Sequence, residues 1–240
     1  MAQSYFIWKG IDCRDMGVKL SGPVPIIRPE ERVQHVEIPG RDGDLTELES
    51  DDNDQIYNSY IQTATIMVQG GYRVREIYNW LKGAGYVTFH GEPDRKQAAR
   101  IVGAITLNKH SRNLDWWVGE VQFYCQPLKQ KLTEDTVTVT SSGTAVMNAG
   151  DKRSRPKITA KASGSSMTIT AGGKSLTITG LTSGSEYIID SEIMEVSNAD
   201  RSALLTGNST GEFPRMAPGS NTITGSGWSK LVIDRRERFL

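Results

Sequence analysis

The chain has 240 residues, and its 28 Lys and Arg residues balance its 28 Asp and Glu residues. This length is enough for one large domain or two ordinary ones. The formal net charge of zero excludes the overall basic surplus on which general binding to nucleic acid depends. No stretch reaches the roughly 18 to 20 apolar residues that a membrane span requires, so we expect no membrane insertion.

The N-terminus and the cysteine content bear on where the chain is made. The N-terminus has no basic segment followed by an apolar core, so we predict no signal peptide and synthesis in a cytoplasm. The two cysteines are Cys13 and Cys125. In a cytoplasmic chain, buried free thiols are favoured over a disulfide between them.

The first sixty residues predict strands and one long, largely polar hairpin. Residues 4–20 mix apolar and polar residues as a strand does, and the prolines that follow prevent a regular sheet interior. Residues 32–49 place two extended runs around the turn Gly40–Asp44, and few of their side chains suit a core, so we expect this hairpin to project. The acidic run Asp51–Asp54 lacks the ligand spacing of an EF-hand, which favours a solvated turn over a calcium loop.

The next segment changes its period twice and predicts an α+β unit. Residues 60–68 are rich in β-branched and aromatic residues and end at two glycines. Val74, Ile77, Tyr78 and Leu81 then recur at intervals of three and four, which predicts one helix that ends near Gly83. Strands are predicted at 86–90, 98–107 and 116–124, so the helix packs on a mostly antiparallel sheet.

The C-terminal hundred residues predict one hairpin after another. Residues 166–170 and 175–179 alternate on either side of Gly172 and Gly173, which is a strong signal for a hairpin with a primed turn. Further strands are predicted near 136–140, 157–162, 186–190, 192–197, 221–225 and 230–234. The fold class is therefore mainly β, with an α+β domain at residues 1–131 and a β-sandwich at residues 132–240.

No pattern in the chain predicts an enzyme, a metal site or a cofactor. The three histidines His35, His90 and His110 lack a second ligand at zinc spacing. The G-x-S-x-G match at 207–211 is followed by Phe-Pro and no helical period, so it predicts a polar loop and not a nucleophile elbow. Residues 172–175 resemble the end of a P-loop but open no helix, and Glu192 with Glu195 predict surface charge.

Tryptophan side chains are candidates for platforms on which a sugar stacks. Trp116 and Trp117 are neighbours on a predicted strand, so their rings face opposite sides of the sheet. Core packing of one ring and interface packing of the other are favoured over a sugar platform. Trp228 follows a Gly-Ser-Gly turn, which makes it the candidate for an exposed aromatic and a possible sugar contact.

Several segments together resemble the distal tail proteins of long-tailed phages that infect Gram-positive bacteria. The resemblance covers essentially the whole chain, and the order and spacing of its segments are more specific than any one of them. The matching segments are Phe6–Asp12, Asp15–Val18, Arg28–Glu31, Val36–Gly43, Tyr187–Glu192, Gly211–Pro214, Pro218–Asn221 and Arg235–Arg238.

The resemblance implies a structural hub at the distal end of the tail in the virion. Its N-terminal domains form a hexameric ring and its C-terminal domains are galectin-like sandwiches. Such a ring joins the tail tube protein to tail-tip or baseplate proteins, and DNA passes through its lumen without specific binding. The hairpin at 32–49 is then an arm that reaches a neighbouring subunit, and we expect its interface residues to be His35, Ile38, Arg41, Asp42 and Leu45.

A carbohydrate-binding, lectin-like module that contacts the host cell wall is the alternative function. It rests on the predicted sandwich and on Trp228, and a sandwich fold alone does not imply a sugar site.

Overall fold

The computed structural model describes residues 4–48, 50–51, 54–112, 114–133 and 135–240. The chain forms two compact units, residues 1–132 with residue 240, and residues 133–239. In the acidic run Asp51–Asp54, Asp52 and Asn53 lie outside the described residues, whereas Asp51 and Asp54 are opposite each other in two short paired strands. No described helix is long and apolar enough to cross a membrane.

The N-terminal unit contains twelve strands, one 3-10 helix at Gly71–Arg73 and one α-helix, α1, at Val74–Trp80. The strands are β1 Phe6–Trp8, β2 Ile11–Asp12, β3 Val18–Leu20, β4 Val33–Val36, β5 Leu45–Leu48, β6 Ser50–Asp51, β7 Asp54–Gln55, β8 Tyr60–Gln69, β9 Ala84–Phe89, β10 Arg95–Val102, β11 Asn108–Lys109 and β12 Trp116–Lys131.

One antiparallel sheet organises this unit. Its strand order is β2-β1-β9-β10-β12-β8-β3, and β11 also pairs with β12. The long strand β12 is the centre, because it pairs with β8 from Trp116 to Cys125 and with β10 on its other side. Alternation along β12 directs Val121, Phe123 and Cys125 into the core.

Helix α1 covers the core at three of the four positions that the sequence predicts. Ile77 and Leu81 are buried, and Val74 is half-buried against the core. Trp80, which the prediction did not include, is buried as well. Tyr78, which the sequence assigned to the same face, lies at its margin and is exposed. Its hydroxyl oxygen accepts a hydrogen bond from the Leu107 amide at 3.3 Å. Both Cys13 and Cys125 are free and buried in this core.

The C-terminal unit contains eleven strands and a 3-10 turn at Thr206–Asn208. The strands are β13 Thr136–Val139, β14 Thr144–Asn148, β15 Lys157–Ala162, β16 Ser166–Ala171, β17 Lys174–Thr179, β18 Glu186–Asp190, β19 Glu195–Asn198, β20 Ser209–Gly211, β21 Gly219–Ser226, β22 Trp228–Asp234 and β23 Arg238–Phe239.

Ten of these strands form two five-stranded antiparallel sheets. Their orders are β13-β22-β15-β18-β19 and β14-β21-β16-β17-β20. Apolar residues at alternate positions, such as Ile158, Ile189 and Leu231 in the first sheet and Ile169 and Ile178 in the second, are buried in one common cluster. The predicted β-sandwich and the mainly β fold class are confirmed. Strands β14, β20 and β23 were not predicted; β20 and β23 have only three and two residues.

The predicted hairpin between β16 and β17 provides a matched test of turn geometry. Gly172 and Gly173 have φ angles of 57° and 76°, as a primed turn requires. A Cβ atom at residue 172 would lie 2.1 Å from the carbonyl oxygen of Arg215, whereas one at residue 173 would meet nothing within 4 Å. The two positions therefore share backbone strain, but only residue 172 faces a steric clash.

We expect Gly173→Ala to lower the free energy of unfolding by about 1–2 kcal/mol through the left-handed backbone alone. Gly172→Ala should lower the free energy of unfolding by about 1–3 kcal/mol more than Gly173→Ala does, because the added methyl group overpacks against the Arg215 backbone. Urea denaturation of both variants measures the difference. Equal losses would contradict the close approach of residues 172 and 215.

Candidate assembly interface

The hairpin predicted at residues 32–49 is present as a separate two-stranded sheet, which we call the arm. Strand β4 pairs with β5 in antiparallel register, with Val33 opposite Leu48 and Val36 opposite Leu45. No residue from 30 to 47 is buried.

 Val33 and Val36 are half-buried, and residues 37–47 are all exposed. The arm therefore adds almost nothing to the core of its own unit.

The base of the arm is fixed by backbone hydrogen bonds to the segment that precedes β8. The Arg32 amide donates to the Ile56 carbonyl at 2.9 Å, and the Asn58 amide donates to the Glu30 carbonyl at 2.8 Å. Between these bonds, Glu31 and Tyr57 form a β-bridge, and the Tyr57 side chain is buried. The base is thus anchored while the distal half of the arm is exposed.

The structure places all five predicted interface residues on the exposed part of the arm: His35, Ile38, Arg41, Asp42 and Leu45. The His35 Nδ1 and Thr46 Oγ1 atoms are 3.4 Å apart, because these residues are opposite each other in the register. Ile38 and Leu45 are large apolar side chains that face solvent in the single chain. The surface that they form is accessible to a second molecule, and their role as an interface stays a prediction.

Two ion pairs join the C-terminal segments that carry the sequence resemblance. Arg236 donates two hydrogen bonds to the Asp190 carboxylate, at 2.7 and 2.9 Å, and Arg238 pairs with Glu192. Residues two apart on one segment thus pair with residues two apart on the other. Asp190 is buried, and a third cation, Arg201, lies 3.8 Å from its Oδ2 atom.

The environment of Asp190 determines how the stabilisation by the Asp190–Arg236 ion pair depends on pH. Burial of the carboxyl group raises its pKa. The hydrogen bonds and charge of Arg236, together with backbone hydrogen bonds from Glu192 and Ile193, outweigh burial, so the pKa lies below the ordinary value of 3.8. A carboxyl group whose pKa is lowered by folding stabilises the protein above its unfolded-state pKa. That contribution is lost as the pH falls through the pKa of the folded state.

We expect Asp190→Asn to lower the free energy of unfolding by about 2–3 kcal/mol at pH 7, between the values typical of exposed and buried pairs. The difference from the unmodified chain should shrink as the pH falls below about 4. Glu212→Gln is the control, because it removes an exposed pair with Lys174 at 3.0 Å and should cost less than about 1 kcal/mol. Denaturation at several pH values tests this, and equal, pH-independent losses would contradict it.

The structure corrects the sequence-based prediction for Trp228. Its side chain is only 9% exposed and lies in the core of the sandwich. Lys161 is opposite Lys230, but the next residue, Ala162, is opposite Trp228, so Ser229 is an extra residue in a β-bulge. The bulge reverses the alternation and turns Trp228 inward together with Leu231. The expectation of an exposed aromatic is therefore wrong, and the ring is not presented as a platform for a sugar.

The other sequence motifs have structural roles. Residues 207–211, which match G-x-S-x-G, lie in the 3-10 turn and in strand β20, and no helix follows them. Residues 172–175 form the hairpin turn between β16 and β17. Among the described residues, no group of three or more His, Cys, Asp or Glu side chains is arranged to hold a metal ion.

Over its whole length, the chain has the fold of a solved tail protein from a phage that infects Gram-positive bacteria. That protein is SPP1 Dit (gp 19.1), described as a paradigm of the hub adsorption apparatus in such phages; the match covers 100% of both chains, with 18% sequence identity and a TM-score of 0.78. A chain of the phage p2 baseplate, in its activated conformation with Sr, matches with 7% identity, full coverage of both chains and a TM-score of 0.53. No family model and no curated protein matches the sequence. The resemblance drawn from the sequence is confirmed at the level of the fold.

Proposed function

We propose that this protein is a structural hub at the distal end of a phage tail. Six copies assemble into a closed ring that joins the tail tube protein to tail-tip or baseplate proteins, and DNA passes through the lumen. The observation that carries this proposal is the likeness to SPP1 Dit over the full length of both chains. A match to both units and to their order along the chain is more demanding than a match to one common sandwich fold.

The arm gives the proposal a physical basis within this chain. Its exposed apolar residues Ile38 and Leu45 contribute nothing to the core of their own unit, and its base is anchored by backbone hydrogen bonds. Such a segment suits a contact that is completed by a second copy. Pro39 and the charged residues near the arm's tip also oppose uncontrolled pairing with other strands.

The lectin-like alternative has lost the residue on which it depended. Trp228 is in the sandwich core, so its ring is not free to stack on a sugar. We therefore favour assembly over sugar binding as the function of this chain.

Electron microscopy of the full-length protein tests the proposal. We expect ring-shaped particles with six-fold symmetry and an open centre. Particles that stay single, both alone and after mixing with the tail tube and tail-tip proteins of the same phage, would refute a ring-forming hub.

A further inference from the structure

A shallow surface pocket of the N-terminal unit lies between the start of β3, the 3-10 helix and the start of β12. Its volume is about 420 Å³. The side chains that give it chemical character are two cations, two aromatic rings and one carboxylate: Lys19, Arg73, Tyr72, Trp116 and Asp115. We call it the Lys19–Arg73 pocket.

The two cations of this pocket are held by packing and not by acidic partners. The Lys19 Nζ atom lies 5.2 Å from the centroid of the Trp116 ring. The Arg73 guanidinium lies over Gly17, in the space where a side chain of residue 17 would begin. Neither cation forms an ion pair with any described residue. Both charges are therefore available to an anion from outside the chain.

The single carboxylate of the pocket is occupied by local hydrogen bonds. The Trp117 Nε1–H group donates to Asp115 Oδ1 at 2.9 Å, and the Gly71 amide donates to Asp115 Oδ2 at 3.1 Å. Asp115 thus holds the 3-10 helix against β12 and offsets one of the two positive charges. The lining keeps a net charge of +1, which favours an anionic partner.

The tip of the arm has the complementary chemistry. Asp42 and Asp44 are exposed, and neither forms an ion pair with a described residue. With Arg41, which lies between the turn glycines, the tip carries a net charge of −1. Exposed apolar side chains, Ile38 and Leu45, flank these carboxylates on the two sides of the turn.

We propose that the arm tip of one copy binds in the Lys19–Arg73 pocket of the next copy. The carboxylates of Asp42 and Asp44 face the two cations, and Tyr72, which is 85% exposed, covers the apolar residues beside them. The inference rests on the proposed ring and names the surface that receives the arm. Two different patches on one chain make a head-to-tail contact, and such a contact closes into a ring when its rotation allows.

Charge reversal with restoration tests this pairing. We expect Lys19→Glu with Arg73→Glu to weaken assembly about a hundredfold, because like charges then meet at the contact. Asp42→Lys with Asp44→Lys should weaken it to a similar extent. Mixing the two variants should restore rings in which they alternate, since each arm then meets a pocket of opposite charge and six is an even number.

The control is Lys161→Glu with Lys230→Glu, which makes the same change in net charge at two exposed, opposing positions of the sandwich. It should assemble like the unmodified chain. If the unmodified chain forms rings and the pocket variant forms them equally well, the pairing is refuted and the hub stands. If both variants fail to form rings and mixing them does not restore rings, the pairing is also refuted. If the unmodified chain itself forms no ring, the proposed function fails, and this inference fails with it.

Discussion

Phe123→Ala is expected to lower the free energy of unfolding of the N-terminal unit by about 3–5 kcal/mol, the largest effect of a single substitution considered for this chain. The Phe123 side chain is fully buried. Its ring centroid lies 5.4 Å from that of Phe6, 5.6 Å from Trp8 and 5.6 Å from Phe89, each in an edge-on arrangement. Truncation removes these contacts and leaves a cavity at the centre of the sheet.

Tyr124→Ala is the matched control, because the next residue of the same strand faces the other side of the sheet and is 42% exposed. It should cost less than about 1 kcal/mol. Tryptophan fluorescence during chemical denaturation measures both variants, since four of the five tryptophans lie in the N-terminal unit. Similar losses for the two variants would place the core of this unit elsewhere.

Placing charges on the apolar residues of the arm is expected to abolish assembly while leaving the fold intact. Ile38→Asp with Leu45→Asp introduces two carboxylates at positions that face solvent in the single chain. If a neighbouring subunit covers these side chains, each change makes the free energy of association at one interface less favourable by about 2 kcal/mol. The two changes together then weaken the affinity of that interface by about a thousandfold. The particle mass should fall to that of one chain, as measured by sedimentation.

Ile193→Asp with Met194→Asp is the control, since it adds the same charge at two exposed apolar residues of the sandwich. This variant should keep the mass of the unmodified protein. Unchanged assembly of the arm variant would exclude Ile38 and Leu45 from the interface.

Local patterns predicted most of the strands correctly. The hairpin of β16 and β17 follows from alternation and two adjacent glycines, and helix α1 follows from the spacing of Val74, Ile77 and Leu81. These features depend on residues close together in the sequence. The fold class is determined by many such signals acting together.

Irregular pairing between strands explains two incorrect predictions from the sequence, the exposure of Trp228 and the end of strand β12. Trp228 was predicted to be exposed, but the bulge at Ser229 reverses the direction of its side chain. Strand β12 was predicted to end at 124, yet it continues through Pro127 to Lys131. The register with β10 shifts between the pairs Ala99–Cys125 and Gln97–Lys129, so Pro127 occupies a position where the ladder is interrupted. A single sequence does not reveal such a shift.

Contacts between distant segments were also beyond prediction from the sequence. Asp190 and Arg236 are 46 residues apart. They meet only because β18, which ends at Asp190, and β22, which ends at Asp234, belong to the same sheet. Lys19 and Arg73 come together because β3 pairs with the end of β8. The arm was different, since its two strands are neighbours in the sequence, with residues 37–44 between them, and its polarity is visible in the sequence.

The mass of the unmodified full-length protein, measured by light scattering over a range of concentrations, tests the proposed hub most directly. A closed ring of six 26.5 kDa chains predicts a species of about 160 kDa that persists on dilution. A mass of one chain at every concentration, unchanged when the tail proteins of the same phage are added, would contradict the proposal.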